Sequence, residues 1–256
     1  MFCLLIMLYS ALFIILSLLN LKPVCDSTID KEDWPEVFPA VFNNPYTLSY
    51  SQYFLFMKIV WVLALVLGMA GYNRVFCTFG VITCFFIGTY GYMADIEDWD
   101  FVWIISNGVA IYLLGFYFIY EIYTQENKLS WSTMKKGRLI FVLLIPLLVW
   151  NPVSFKEGIW DFSFNQLLSN ESGVTFCYVA ASLLIVLLLF YPHVNKHLFG
   201  ILTFSTSLIG VMAIIVFGYQ KKLPLVTMHI PVILVTLYSY YLYFYGNEII
   251  EKTKEE

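Results

Sequence analysis

About eight stretches of this chain are apolar over about the length a helix needs to cross a bilayer, and a long loop follows the first and the fifth. They run near Phe2 to Leu21, Tyr53 to Ala70, Val75 to Met93, Phe101 to Tyr120, Leu139 to Trp150 with its flanks, Thr175 to Tyr191, Leu198 to Gly218 and Leu225 to Tyr245. The fifth is short and stops at Pro152. With 60% hydrophobic and 12% charged residues, and a mean hydropathy of +0.77, the chain lacks the polar surface to solvate a 29.7 kDa globule. The expected fold is an all-α polytopic membrane protein of about eight transmembrane helices. The first stretch has neither a basic n-region nor a small-residue cleavage site before Cys25, so it reads as a retained span.

Charge placement sets the expected orientation. Lys and Arg collect in short cytoplasmic loops, and Gln125 to Arg138 carries Lys128, Lys135, Lys136 and Arg138 against Glu126. Placing that segment inside puts Arg74, the turn Pro192 to His197 and both termini in the cytoplasm. Asp95, Glu97, Asp98, Asp100 and the acid-rich stretch Asp26 to Glu36 then fall outside, with Trp34, Trp99, Trp103, Trp150 and Trp160 near the outer interface where indole is favoured. Lys221 and Lys222 fall on the outer side against the rule. The net charge of -4 says little about partners, because the acidic residues sit in particular loops, and nothing basic enough to hold nucleic acid is present.

The two halves of the chain resemble each other. Leu18-Leu19-Asn20-Leu21-Lys22-Pro23-Val24 answers Leu147-Leu148-Val149-Trp150-Asn151-Pro152-Val153, and Asn73-Arg74 with Ile87-Gly88 answers Asn195-Lys196 with Ile209-Gly210. Each half reads as four spans, so the halves share one orientation, as parallel repeats do. The expected organisation is a first half over 1–123, a basic linker over 124–138, a second half over 139–246 and a charged tail over 247–256. Cys3, Cys77 and Cys84 lie in apolar spans as small hydrophobes. Cys25 and Cys177 fall near one membrane face, where an oxidising compartment would allow a bridge.

The second span ends in Leu67-Gly68-Met69-Ala70-Gly71-Tyr72-Asn73-Arg74. This turn resembles the LGL-x-x-R turn of DoxX-like and MauE-like four-span proteins, and the related hairpin of the horizontally transferred transmembrane domain family. The likeness covers about twenty residues. It implies a helical bundle serving as an accessory subunit or maturation factor in membrane redox systems. The Gly-Lys stretch of DoxX-like proteins and the catalytic Lys of the vitamin-K-dependent carboxylases have no counterpart here, so no active-site residue is carried over.

Candidate ligand-binding residues follow from polar groups set in apolar spans. Lys58 lies roughly 8 Å inward from the start of its span, and its stem is long enough to lift the ammonium to the headgroups. Asn107 sits in the same outer stratum of the fourth span, beside Ser106. His229 sits there in the eighth, two residues before Pro231. Asp95 and Glu97 cap the third. Polar groups inside a membrane face a cavity or one another, so these residues are expected to line one outward vestibule. His193 and His197 read as a solvated inner turn rather than a metal pair, and no metal or cofactor site is implied. Nucleotide, zinc-protease and hydrolase motifs are missing. Asn170-Glu171-Ser172 forms an external glycosylation sequon. Aromatic runs in the fourth and eighth spans read as an interface belt and gap fillers, or as a slot for a lipid or quinone.

Three function classes remain. The first is a non-catalytic accessory or assembly subunit of a membrane complex, partnered by lipids and by other subunits or further copies of itself. The second is a small-solute transporter with an outward-facing polar site. The third is a lipid-modifying enzyme with His229 as general base and Lys58 stabilising an anion.

Overall fold

The structure, a computed structural model, describes residues 24–25, 33–155 and 157–255, with the backbone alone at 24, 25, 34, 35, 38 and 247–255. The first apolar stretch, Cys3 and the Cys25 side chain lie outside what is described.

The elements run in order: strand β1 (Val24–Cys25), α1 (Trp34–Asn43), a 3-10 segment (Tyr46–Tyr53), α2 (Phe54–Met69), α3 (Asn73–Tyr90), β2 (Met93–Ile96), β3 (Asp100–Trp103), α4 (Ile105–Thr124), a 3-10 segment (Lys136–Leu143), α5 (Leu144–Trp150), α6 (Phe164–Ser169), a 3-10 turn (Glu171–Val174), α7 (Phe176–Phe190), α8 (Lys196–Tyr219), α9 (Leu223–Met228) and α10 (Ile230–Glu255). Among the described residues, four helical stretches are long and apolar enough to cross a membrane: Pro39–Met69, Ile105–Thr124, Lys196–Tyr219 and Leu223–Gly246. Phe164–Val174 and Phe176–Phe190 add a fifth only as a pair bent by 82°.

The helix surfaces show why so apolar a sequence is stable in lipid. On α2 the residues facing protein are Phe54, Lys58, Trp61, Leu65 and Gly68, spaced by three and four, while Leu55, Phe56, Ile59, Leu63 and Val66 on the other side are exposed. A helix apolar all round, with one face packed and the other bare, has hydrocarbon as its natural solvent. Helix α7 is the opposite case, with every residue from Phe176 to Phe190 buried. It forms the axis of the bundle, touching α2, α3, α5, α8 and α10. The Trp61 indole donates to Ser182 Oγ at 2.7 Å, tying α2 to this axis.

Helices α3 and α4 make the tightest pair. A Cβ on Gly108 would stand 2.6 Å from the Gly88 carbonyl oxygen, so both backbones need glycine where they cross. The turn from α2 to α3 passes through Gly71 at φ +101°, where a side chain would also strike the Leu129 carbonyl at 2.7 Å.

Two segments depart from the sequence expectation. The acidic stretch after α3 is not a cap on a span: Met93–Ile96 and Asp100–Trp103 pair antiparallel, with β1 on the far side of β3, in a sheet ordered β1-β3-β2. Asp100 adopts a left-handed backbone (φ 54°) at the turn, which Asp tolerates. The fifth stretch is not one helix, because its first half is 3-10 and its second is the seven-residue α5 ending at Asn151.

Candidate functional site

A cavity of about 330 Å³ opens at the sheet end of the bundle. Its walls come from both sides of the 124–138 linker: Asn44 and Thr47 after α1, Tyr92 after α3, Glu171 before α7, Cys177 in α7 and His229 between α9 and α10. Apolar side chains such as Phe42, Ile209, Ala213 and Phe217 complete it, so the lining is amphipathic. Tyr92 is buried in this wall. At the rim, the Lys222 ammonium donates to Asn43 Oδ1 at 3.0 Å and to the Phe155 carbonyl at 3.1 Å, and burial lowers its pKa. That pair of bonds satisfies the lysine whose side of the bundle the charge rule did not explain.

His229 is fully buried. Pro231 cannot supply a backbone N–H to the helix, and the chain steps from α9 to α10 at this point, so the imidazole is presented from a break. Its Nδ1 lies 2.7 Å from the Leu225 carbonyl oxygen, one turn back. Its Nε2 is buried and has no partner. The rings of Tyr178 and Phe217 flank it at centroid distances of 5.5 and 5.6 Å, and the Tyr178 hydroxyl is likewise buried and unpartnered. Unsatisfied buried polar atoms are uncommon, and of those among the described residues the His229 Nε2 is the one on a residue that lines the cavity.

Lys58 is buried on the protein-facing stripe of α2. Its Nζ donates to the Leu167 carbonyl at 2.6 Å, near the end of α6, and its stem packs against Gly173. Glu171 is the carboxylate whose charge acts on it. Lys58 thus fastens the 164–174 segment that walls the cavity, while Glu171 lines the cavity itself.

The expected vestibule is therefore assembled only in part. His229 lines the cavity, and Lys58 stands behind its wall. Asn107 is buried in α4 and outside the lining. Asp95 and Glu97 are exposed on β2 and the following turn, with Asp95 accepting from the Tyr46 hydroxyl at 2.6 Å. The acidic neighbour near these residues is Glu171, which the sequence offered only as part of a sequon. That sequon is closed: Asn170 is buried, its Nδ2 donates to the Trp150 carbonyl, and its Oδ1 accepts from Ser172 N at 3.0 Å. Cys177 is a buried free thiol rather than half of a bridge, and Cys77 and Cys84 are buried thiols in α3. His193 and His197 do not share a helix turn, because α8 begins at Lys196. Among the described residues no group of three or more His, Cys, Asp and Glu is placed to hold a metal ion. Of the aromatic runs, Tyr112 stacks on Phe85 at 5.4 Å and Tyr238 on Phe141 at 4.9 Å, while Phe116, Tyr120, Tyr123, Tyr241, Phe244 and Tyr245 are exposed.

A second polar cluster lies at the other end of the same helices. Glu121 of α4 is fully buried. Its Oε1 accepts from Asn73 Nδ2 at 3.0 Å and from the Asn127 backbone N–H at 2.7 Å, and its Oε2 accepts from Asn195 Nδ2 at 2.9 Å. Asn127 closes the ring, accepting from Asn195 N at 2.7 Å and donating to Asn73 Oδ1 at 3.2 Å. Asn73 opens α3 and Asn195 caps α8, so two helix N-termini converge on one carboxylate, the charge they favour. Sequence reasoning missed Glu121. The signal was present, because Asn107, Ile111, Leu114, Phe118 and Glu121 continue one stripe at spacings of four and three.

No family model, no curated protein and no solved structure matches this chain.

Proposed function

We propose that this chain is an integral membrane protein of about eight spans in two like halves, with both termini cytoplasmic, serving as a non-catalytic accessory subunit that holds a small amphiphile. The amphiphile, a lipid or a quinone, occupies the cavity around His229. The observation that carries this reading is the pairing of an amphipathic cavity with a buried imidazole nitrogen that no protein group satisfies.

Helix geometry supports the placement. From Asn73 to Gly91, and from Asn195 to Phe217, the rise is about 27 and 33 Å, close to the hydrocarbon thickness of about 30 Å. The cavity and the Glu121 cluster then sit near opposite headgroup layers. Lys128, Lys135, Lys136 and Arg138 fall at the Glu121 end, in keeping with a cytoplasmic linker. The two halves draw support from Asn73 and Asn195, which hold matching places in the sequence and bind one oxygen each of Glu121. An accessory role accords with the DoxX-like turn at Gly68 to Arg74.

Photo-crosslinking with a diazirine-bearing diacylglycerol in vesicles tests the reading. Label on residues 42–48, 154–155 and 209–217 supports it, whereas label confined to the bare face of α2, such as Leu63 and Val66, refutes it. A second reading, a small-solute transporter, is favoured by one feature: both sides of the linker contribute to the cavity wall. Solute flux that depends on His229 in reconstituted vesicles would select it.

A further inference from the structure

We propose that the cavity recognises its occupant through a hydroxyl group that donates a hydrogen bond to Nε2 of His229. The inference rests on the binding role assigned above to the cavity and goes further, to the chemistry of the ligand.

The reasoning begins with the tautomer. A carbonyl oxygen can only accept, so the 2.7 Å contact between Nδ1 and the Leu225 oxygen requires the proton on Nδ1. In the neutral ring Nε2 then carries a lone pair and no hydrogen. It is an acceptor fixed by the backbone of its own helix, so no change of side chain around it reverses its role. Buried without a donor, it carries a free-energy cost that a ligand hydroxyl removes on binding. A ketone, ester or ether oxygen offers a second lone pair in the same place and is repelled.

The surroundings fit an alcohol or phenol. A hydroxyl donates once and accepts twice. One ligand hydroxyl can therefore satisfy Nε2 and still accept from a second donor. Asn44, Thr47 and Glu171 provide a polar wall for the rest of a headgroup, and Ile209, Ala213 and Phe217 an apolar one for a chain or ring. The class selected is a hydroxyl-bearing amphiphile. Two sources share that chemistry: a glycerolipid with a free hydroxyl, and a hydroquinone. The oxidised quinone, which has carbonyls only, is selected against.

The test uses the full chain in phosphatidylcholine nanodiscs and two matched probe pairs. Dioctanoylglycerol is set against its acetylated triester, and decylhydroquinone against decylquinone. The proposal expects the hydroxyl member of at least one pair to bind about tenfold more tightly than its capped partner, the worth of one neutral hydrogen bond with its buried acceptor. Whichever pair shows the preference identifies the source. Nitrogen NMR of histidine-labelled protein should show the Nε2 signal of His229 moving with the hydroxyl probe alone. In His229→Phe the preference within each pair should vanish.

Equal binding within both pairs on the wild-type protein overturns hydroxyl recognition and leaves the cavity as a binding site. An Nε2 signal already shifted in the probe-free protein and unmoved by every probe also overturns it, since water alone then satisfies the nitrogen. No binding by any of the four probes refutes the cavity's role and the inference with it. The wild-type comparison decides these cases even if the variant fails to fold.

Discussion

The two ends of the bundle both bury polar side chains and use them in opposite ways. At the Glu121 end a buried carboxylate is met by three donors, and the asparagines that supply them also bond one another. At the His229 end a buried imidazole lines a cavity with its Nε2 unpartnered, and the neighbouring Tyr178 hydroxyl is buried without a partner as well. Polar groups that satisfy one another define a unique packing, while polar groups left open define what the protein can receive. The same helices connect the ends, so the satisfied cluster holds α3, α4 and α8 in the arrangement that keeps the other end open.

This contrast yields predictions of differing size and sign. The largest effect belongs to Glu121→Leu, which strands the Asn73, Asn127 and Asn195 donors in the interior. It should cost about 3 kcal/mol or more, read as a loss of thermal stability in detergent. Glu121→Gln, which keeps the shape and one acceptor, should cost about half as much. Gly108→Leu drives a side chain against the Gly88 carbonyl, and about 2 kcal/mol is expected from overpacking where α3 and α4 cross.

Lys58→Met removes the bond to Leu167 and leaves Glu171 without its neighbouring charge. A local cost of about 1 kcal/mol should appear as faster hydrogen exchange over 164–174, with exchange in α3 and α4 unchanged. Smallest of all is His229→Phe. The substitution gives up the Nδ1 bond to Leu225 and removes the orphaned Nε2, two changes that offset, so stability should stay within about 0.5 kcal/mol of wild type. A cost for His229→Phe as large as that for Glu121→Leu would erase the distinction between the two ends.

The apolar helices were legible because the signal is one of length and composition: α2, α4, α8 and the α9–α10 pair fall where the hydropathy places them. The sheet was not. Met93 to Trp103 reads as an acidic loop, because its strands are only four residues each and pair with one another, with β1 joining from far back in the sequence. The fifth stretch looked like a short span, yet it starts as a 3-10 segment and its last carbonyls are taken up by Asn170 and Ser172 from beyond Pro152. Those partners are tertiary and leave no periodic trace.

The candidate site was half legible for a related reason. Depth along a helix can be counted from sequence, and it placed Lys58, Asn107 and His229 in one layer. Azimuth cannot be counted across helices, so Asn107 proved to belong to a different interface and Glu171 was passed over as a neighbour of Lys58. Within a single helix azimuth is available, and there the stripe from Asn107 to Glu121 pointed to the buried carboxylate.

The account turns on the cavity being a place that something occupies. The most direct measurement is organic extraction and mass spectrometry of the full chain purified in mild detergent from its own membranes, beside an Ala213→Phe variant whose added ring fills the cavity. A hydroxyl-bearing amphiphile at near one-to-one ratio in the wild type, and its loss from the variant, is the predicted result. The same amphiphile content in both proteins would contradict it, because the bound molecules would then lie on the outer helix faces and not beside His229.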